Sequence, residues 1–232
     1  MKKKLSLIQK RFRGFLPVVI DVETAGVNPN TDALLELAAV MVHPIEDSAR
    51  ENSAGEGSAR EGSAREGTVW QAHESHHWHI MPAEGTKINP KALAINGIDP
   101  DHPFRFAIPE EEALTALFKA VNKQLNNTRC QRALLVGHNA HFDLNFIRAA
   151  CDRCGIKKMP FHSFTCLDTA TMSALVYGET VLAKALEKAQ IAFDASQAHS
   201  AIYDTQVTAE LFCKIVNHIG LPLLHANSPS RD

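Results

Sequence analysis

The chain has 232 residues, of which 45% are hydrophobic and 22% are charged, and its formal net charge at pH 7 is −2. This composition excludes fibrous and wholly disordered proteins, and it suffices for a single globular domain with a full apolar core. No apolar run approaches the ~18 residues of a membrane span, and the basic start of the chain lacks the apolar segment of a secretory signal. We therefore expect a soluble, cytoplasmic protein that does not enter a membrane.

The first predicted elements are strands. Val18 to Val22 is a β-branched apolar run interrupted only by Asp21, which is typical of a central strand covered on both faces. Leu34 to His43 and Val69 to Met81 are the next two strand candidates. Between them, residues 46–68 repeat the letters EGSAR with little apolar content, so we predict a flexible low-complexity insert there.

The later elements alternate between helices and strands. The periodicity and the capping residues predict a helix from Asn89 to Asn96, a helix from Pro109 to Gln124, a strand from Ala133 to Gly137, a helix from Phe142 to Cys154, a strand from Phe164 to Leu167, a helix capped by Asp168 or Thr169, and final helices from Val181 to Ala189 and from Ala201 to Ile219. Three adjacent strands followed by alternating strands and helices predict an α/β fold with a mixed sheet.

Two acids, Asp21 and Glu23, end the first predicted strand. Side chains two residues apart in a strand point to the same face, so these carboxylates project together. Two nearby carboxylates repel each other unless a cation lies between them, and oxygen ligands suit Mg²⁺ or Mn²⁺. Taken alone the pair is weak evidence, because D-x-E most often marks a strand that leaves the core for solvent.

Three further polar residues follow predicted core elements. Asp143 lies just inside a helix that follows a buried strand, at the strand's carboxyl end, where α/β sheets build their sites. Asp204 lies in the first turns of the last predicted helix, and His199 comes just before that helix. Helix capping would account for Asp143 alone and a surface position for His199 alone. Separate coincidences do not explain four acids and a histidine in this order.

These segments resemble a known family. DVE at 21–23, HNAHFD at 138–143 and HSAIYD at 199–204 together resemble the three exonuclease motifs of the DEDDh family. FRGF at 12–15, AINGIDP at 94–100, FHSF at 161–164 and QAHSAIYDT at 197–205 are similar, more narrowly, to its ribonuclease T group. The resemblance implies a ribonuclease H-like fold, with a mixed five-stranded sheet flanked by helices.

The resemblance also implies an activity. It is that of a 3′-to-5′ exoribonuclease, which trims unpaired 3′ ends of tRNA and other stable RNAs and releases nucleoside 5′-monophosphates. Asp21, Glu23, Asp143 and Asp204 would hold two Mg²⁺ ions, for which Mn²⁺ can substitute, and two such ions ~4 Å apart suit phosphodiester hydrolysis. Histidine is the side chain suited to exchange a proton near neutral pH, and His199 is our candidate general base for the attacking water.

The family's substrate contacts map onto further positions. Phe142 and Phe164 match phenylalanines that stack on terminal bases, although a core position is an alternative that is stronger for Phe164 than for Phe142. The remaining matched positions are Thr24, two wedge positions occupied here by Val27 and Ile95, and Lys91, where the family carries a glutamate. Because aliphatic side chains cannot stack as rings do, we expect altered discrimination of the terminal base, including the family's reluctance at 3′ cytidine.

Basic residues match the family's phosphate-binding patch, on the face opposite the metals. They are Arg11, Arg13, Arg132 and Lys157. The resemblance implies that this patch grips the duplex part of a substrate across a homodimer. Single-stranded DNA remains open as a second substrate. A proofreading-type DNA exonuclease or oligoribonuclease is the nearest alternative, and a non-catalytic nucleic-acid-binding module is an alternative of another class, against which the five intact catalytic-type residues argue.

Two patterns are weak candidates for a transition-metal site. His77 and His79 share a face of a predicted strand, but their spacing supplies no third ligand, so we interpret them as strand residues. Cys151 and Cys154 form the sole C-x-x-C, and no second pair stands at zinc-ligand spacing, so we expect reduced thiols.

Overall fold

The computed structural model describes residues 6–46 and 68–225, so the predicted EGSAR insert lies outside the described residues apart from its two ends. The strands are β1 (Phe15–Thr24), β2 (Leu34–Glu46), β3 (Thr68–His79), β4 (Arg132–Gly137) and β5 (Phe161–Asp168). The helices are α1 (Leu7–Arg11), α2 (Pro90–Asn96), α3 (Glu110–Thr128), α4 (His141–Arg153), α5 (Thr169–Tyr177), α6 (Leu182–Lys188) and α7 (Ala201–His225), with a short 3₁₀ turn at Pro103–Arg105.

The five strands form one sheet in the order β3-β2-β1-β4-β5. β2 pairs antiparallel with both β1 and β3, whereas β4 pairs parallel with both β1 and β5. The predicted mixed five-stranded sheet is therefore confirmed. β1 is its central strand, as predicted, and of the predicted run from Val18 to Val22 all residues except Asp21 are buried.

Helices cover this sheet and close the core. α7 packs on β1, β2 and β3, while α3 contacts β1 to β4 and α4 contacts β1 and β4. The largest fully buried side chains include Phe146 of α4, Phe161 of β5 and Phe212 of α7. Within the described ranges, no helix is both long and apolar enough to cross a membrane. All five cysteines are free, as expected from their number and spacing.

Local capping residues set the helix ends where the sequence predicted them. The Asn89 side chain accepts a hydrogen bond from the Lys91 N–H at the start of α2, and Gly97 ends that helix in the left-handed region. Asp168 caps α5, which resolves the choice between Asp168 and Thr169. Gly155 follows α4 with φ +67°, as expected of a glycine just beyond a helix.

Several boundaries differ from the prediction, among them the ends of β2 at Glu46 and of α7 at His225, and one α-helix was not predicted. β5 begins at Phe161, three residues before the predicted start, because Phe161 pairs with Ala133 of β4 and is buried. α3 continues to Thr128. α1 lies in the basic start of the chain, where Ser6 and Gln9 form a reciprocal capping box and Ile8 is buried against the core.

Candidate active site

The acidic residues meet at the carboxyl end of β1. Asp21 and Glu23 lie on the same face of this strand, two residues apart, and β2 and β4 flank them. Asp143, in the first turn of α4, reaches over the end of β4, where its Oδ1 accepts a hydrogen bond of 3.1 Å from the Val22 N–H. A Cβ at Gly137, the last residue of β4, would lie 3.1 Å from Asp143 Oδ2, so the glycine leaves the room that this carboxylate occupies.

The start of α7 brings the remaining two residues to the same place. Glu23, His199 and Asp204 each offer one ligand atom, and these three atoms all lie within 4.8 Å of one another. The backbone N–H of His199 donates to Asp204 Oδ2 at 3.0 Å, and His199 itself has φ +66°, which turns the chain into the helix. The five residues selected from the sequence therefore converge at one end of the sheet.

Burial and mutual repulsion shape the charge of this cluster. Burial and then the charges of Asp143, Glu23 and Asp204 raise the pKa of Asp21 well above its ordinary range. Burial raises the pKa of Glu23 from 4.5 to about 8 and that of Asp143 from 3.8 to about 8, and it also raises the pKa of Asp204. A divalent cation would favour the ionised form of every one of these carboxylates, so an all-oxygen donor set under this repulsion fits Mg²⁺ or Mn²⁺.

Glu36 of β2 belongs to the surroundings of the site, and our reading of the sequence missed it. It stands directly opposite Glu23 in the β1/β2 register and is buried. Its carboxylate faces ring nitrogens of His77 and His79 and accepts a hydrogen bond of 3.4 Å from the Ala201 N–H, the first residue of α7. Burial alone would raise the pKa of Glu36, but the two histidines hold it below its ordinary value. In the sequence, the feature that could have identified Glu36 is that it is a single acid within the apolar run of β2.

Asn96 is a second residue that was missed. Its side-chain amide donates to the Thr24 carbonyl oxygen at 3.1 Å, and a hydrogen bond from the same side chain favours the ionised form of Glu23. Thr24 itself is buried, and its hydroxyl donates to the Gly26 carbonyl at 2.6 Å. Thr24 therefore organises the β1–β2 turn from within, and its side chain does not present a free surface.

The predicted base contacts are exposed. Phe164 is 73% exposed and Phe142 is 37% exposed, so the alternative that Phe164 is the more core-like of the two is wrong. Phe164 escapes burial because it lies in the exposed middle of β5, an edge strand. Val27 and Ile95 are 82% and 66% exposed, and Lys91 is exposed on α2.

The predicted basic residues lie at the other end of the sheet. Arg132 begins β4 and pairs in register with Phe15 of β1, two residues after Arg13. Phe15 precedes Asp21 by six residues along one strand, which corresponds to ~20 Å. Arg132 and Lys157 line one groove of about 590 Å³, together with Arg148 and Lys158. Arg11 is half-buried in α1, with its guanidinium 5.8 Å from the centre of the Phe12 ring.

Comparisons with known proteins agree with this geometry. The exonuclease family model RNase_T matches residues 18–212. Ribonuclease T of Yersinia enterocolitica is 50% identical over 217 residues, which cover 93% of this chain and 91% of that protein. Two solved structures share the fold. One concerns 3′-end specific recognition of a histone mRNA stem-loop by a 3′-exonuclease. It has a TM-score of 0.63 and 13% sequence identity, and the match covers 94% of this chain and 68% of that chain. The other is E. coli exonuclease I with a dT13 oligonucleotide (TM-score 0.60, 17% identity, 91% of this chain and 43% of that chain).

Proposed function

The chain belongs to the RNase_T exonuclease family, and from this membership and its acidic centre we propose that it removes nucleotides one at a time from unpaired 3′ ends of RNA. Its fold is the ribonuclease H-like α/β fold that the sequence predicted. We propose tRNA and other stable RNAs as substrates, nucleoside 5′-monophosphates as products and the cytoplasm as the place of action. The observation that carries this proposal is the convergence of four buried or half-buried carboxylates and one exposed histidine at the carboxyl end of β1.

The acids provide the means to hold two divalent ions. Asp21 is influenced electrostatically by Asp143, Glu23 and Asp204, which supports a bridging role. Asp143 and Asp204 come from the first turns of α4 and α7. Two bound Mg²⁺ ions would supply Lewis acidity at the phosphate and at the departing oxygen. The rigid strand and the two helix starts fix the ligand positions before the substrate arrives.

His199 is the candidate for proton transfer. It lies on an exposed turn, so its ring is open to water, while its backbone N–H is fixed by Asp204. A carboxylate oxygen of Glu23 and one of Asp204 lie within 4.8 Å of an imidazole nitrogen of His199. An imidazole nitrogen in this position can therefore take the proton from the attacking water and hold it while the phosphodiester bond breaks.

Exposed apolar side chains near the acids support binding of unpaired bases. Phe142 immediately precedes Asp143, and its ring lies 4.9 Å from that of Phe146, which anchors it to the core. Phe164 packs edge-on against His162 with ring centres 4.6 Å apart and leaves most of its surface free for a base. Val27 and Ile95 are also exposed, and we propose that discrimination against 3′ cytidine is altered, because these two side chains can contact a base but cannot stack on it.

The basic groove supports contact with the duplex part of a substrate. It collects four cationic side chains at the end of the sheet remote from the acids. The family resemblance implies that one copy of the chain grips the duplex while a second copy receives the 3′ tail, and a separation of ~20 Å between the two regions on one chain is compatible with that arrangement. We therefore propose a homodimer whose affinity for tailed RNA falls as salt rises.

The test is trimming of RNA duplexes that carry either a 3′ or a 5′ single-stranded tail, with and without Mg²⁺. We expect shortening of the 3′ tail alone, one nucleotide at a time, and complete loss of hydrolysis in excess EDTA or after Asp21→Asn. Asp101→Asn, an exposed acid outside the cluster, is the matched control and should leave the rate unchanged. Full activity in EDTA would contradict the two-ion mechanism.

Equal-length single-stranded DNA in the same assay tests DNA as a second substrate, and a preference for DNA over RNA would favour the proofreading-type alternative.

A further inference from the structure

The histidine-rich segment of β3 has no part in the proposed reaction. His77 and His79 lie on one face of this strand, which is an edge of the sheet, and in the β2/β3 register His79 stands opposite Glu36 while His77 stands opposite Ala38. The sequence supplied two imidazoles without a third ligand. The sheet register supplies that ligand, because Glu36 projects from β2 between the two rings.

The donor atoms of the three side chains already converge. One ligand atom from each lies within 4.8 Å of the others, with Glu36 Oε1 2.9 Å from His79 Nδ1 and Glu36 Oε2 3.3 Å from His77 Nε2. A tetrahedral ion with ligands at about 2.0–2.1 Å holds neighbouring ligand atoms about 3.3 Å apart. The two separations are close to this spacing, one through each carboxylate oxygen, so rotation of the Glu36 carboxylate and approach of the two histidine nitrogens would place all three ligand atoms around one ion.

A backbone hydrogen bond also orients the Glu36 carboxylate. The Ala201 N–H donates to Glu36 Oε2 at 3.4 Å, as an outer hydrogen bond does for the carboxylate ligands of metal sites. All three ligands lie on paired strands, which hold a site more rigidly than loops do. The His79 side chain is 38% exposed, so water can reach the site and complete the coordination.

The ligand set selects a different class of metal from the acidic centre. Two imidazole nitrogens and one carboxylate oxygen favour borderline transition metals such as Zn²⁺, whereas an all-carboxylate site favours Mg²⁺ or Mn²⁺. The surrounding charges act in both directions. Asp21 and Glu23 lie close enough to interact with Glu36 and favour a cation, while the guanidinium of Arg105, which interacts with Glu36 and His79, opposes one.

We propose that Glu36, His77 and His79 form a second metal site, specific for Zn²⁺ or a similar transition metal and separate from the catalytic acids. An ion there would link β2 to β3 through the same carboxylate that holds the first turn of α7. The site would therefore tie the edge of the sheet to the helix that carries Asp204. The inference does not depend on the proposed reaction, because it concerns metal binding alone.

The test is Zn²⁺ binding to the full chain, stripped of metal and then kept in saturating Mg²⁺ so that the hard-ligand site is occupied. We expect one tightly bound Zn²⁺ per chain, and affinity at least ~100-fold weaker after His77→Gln or His79→Gln, since removal of a direct ligand should exceed the 10–100-fold loss typical of outer-shell changes. His76→Gln is the matched control. Its ring lies on the opposite face of β3 and contacts Glu74, so this variant should bind like the wild type.

His199→Gln tests whether the Zn²⁺ ion lies instead at the other such cluster among the described residues, which comprises Glu23, His199 and Asp204. We expect this variant to retain the tight Zn²⁺ ion, and Co²⁺ substitution should give the visible absorption of a tetrahedral nitrogen- and oxygen-ligated ion that is lost with His79→Gln. Circular dichroism verifies that each variant is folded. Equal Zn²⁺ affinity of the wild type and folded His77→Gln and His79→Gln variants would overturn the proposal, as would loss of the ion in His199→Gln alone.

Discussion

Asp143→Asn separates the effect of this acid on the free energy of unfolding from its role in hydrolysis. In the unfolded chain this carboxyl titrates near 3.8, whereas burial raises its pKa to about 8 in the fold. Below the unfolded value both states are protonated and the shift has no effect on stability. As pH rises from about 4 to about 8, the folded state retains a proton that the unfolded state has released, so the free energy of unfolding falls.

The size of the effect follows from that shift. At pH 7 the penalty corresponds to about three pKa units, on the order of 4 kcal/mol. An asparagine removes it and keeps an oxygen for the Val22 N–H, although its amide group loses ~1 kcal/mol of hydrogen bonding. A net gain on the order of 3 kcal/mol corresponds to a rise in Tm of ~6–12 °C for a chain of this size. Asp143→Asn should therefore abolish hydrolysis while it stabilises the metal-free protein.

Thermal unfolding in EDTA at several pH values between 5 and 8 measures this prediction, with Asp152→Asn, an exposed acid on the same helix, as the control. The wild type should lose stability with rising pH more steeply than Asp143→Asn, and Mg²⁺ should raise the Tm of the wild type more than that of the variant. A variant that is no more stable than the wild type at pH 7 in EDTA would refute the electrostatic reasoning.

Three further changes test other parts of the molecule. Replacement of Arg13 and Arg132 by alanine should weaken binding of 3′-tailed duplex RNA and reduce the salt dependence of that binding, because fewer phosphate contacts remain. Turnover at saturating substrate should be unchanged. An unaltered salt slope in binding titrations would contradict the role of the basic patch. Phe164→Ala should weaken binding of single-stranded ends by ~1–3 kcal/mol. Leu175→Ala, at a similarly exposed position, should leave this binding unchanged. Fluorescence anisotropy of a labelled single-stranded RNA measures both variants. Gly26→Ala should lower Tm because its Cβ would lie 2.0 Å from Asp32 Oδ2 in the β1–β2 turn; an unchanged Tm would show that this turn can relax.

The order of strands and helices followed from the sequence because its signals are local. Apolar runs, helical periodicity and capping residues act over a few positions, and Asn89, Gly97 and Gly155 end their elements as such residues do. The acids Asp21 and Asp143 could also be selected, since each follows a buried strand at its carboxyl end, where the residue type conflicts with the core before it.

The tertiary structure decided what depends on strand register and on the outer surface of the fold. Glu36 faces Glu23 and the two histidines because β2 pairs with both neighbours in one particular alignment, which the local pattern of β2 does not contain. Phe164 is exposed because β5 is an edge strand, which decides against the core position that was the alternative to its predicted role in stacking on a base. Periodicity predicts which residues share a face of a helix or strand, but only the packed sheet determines which other residues that face contacts.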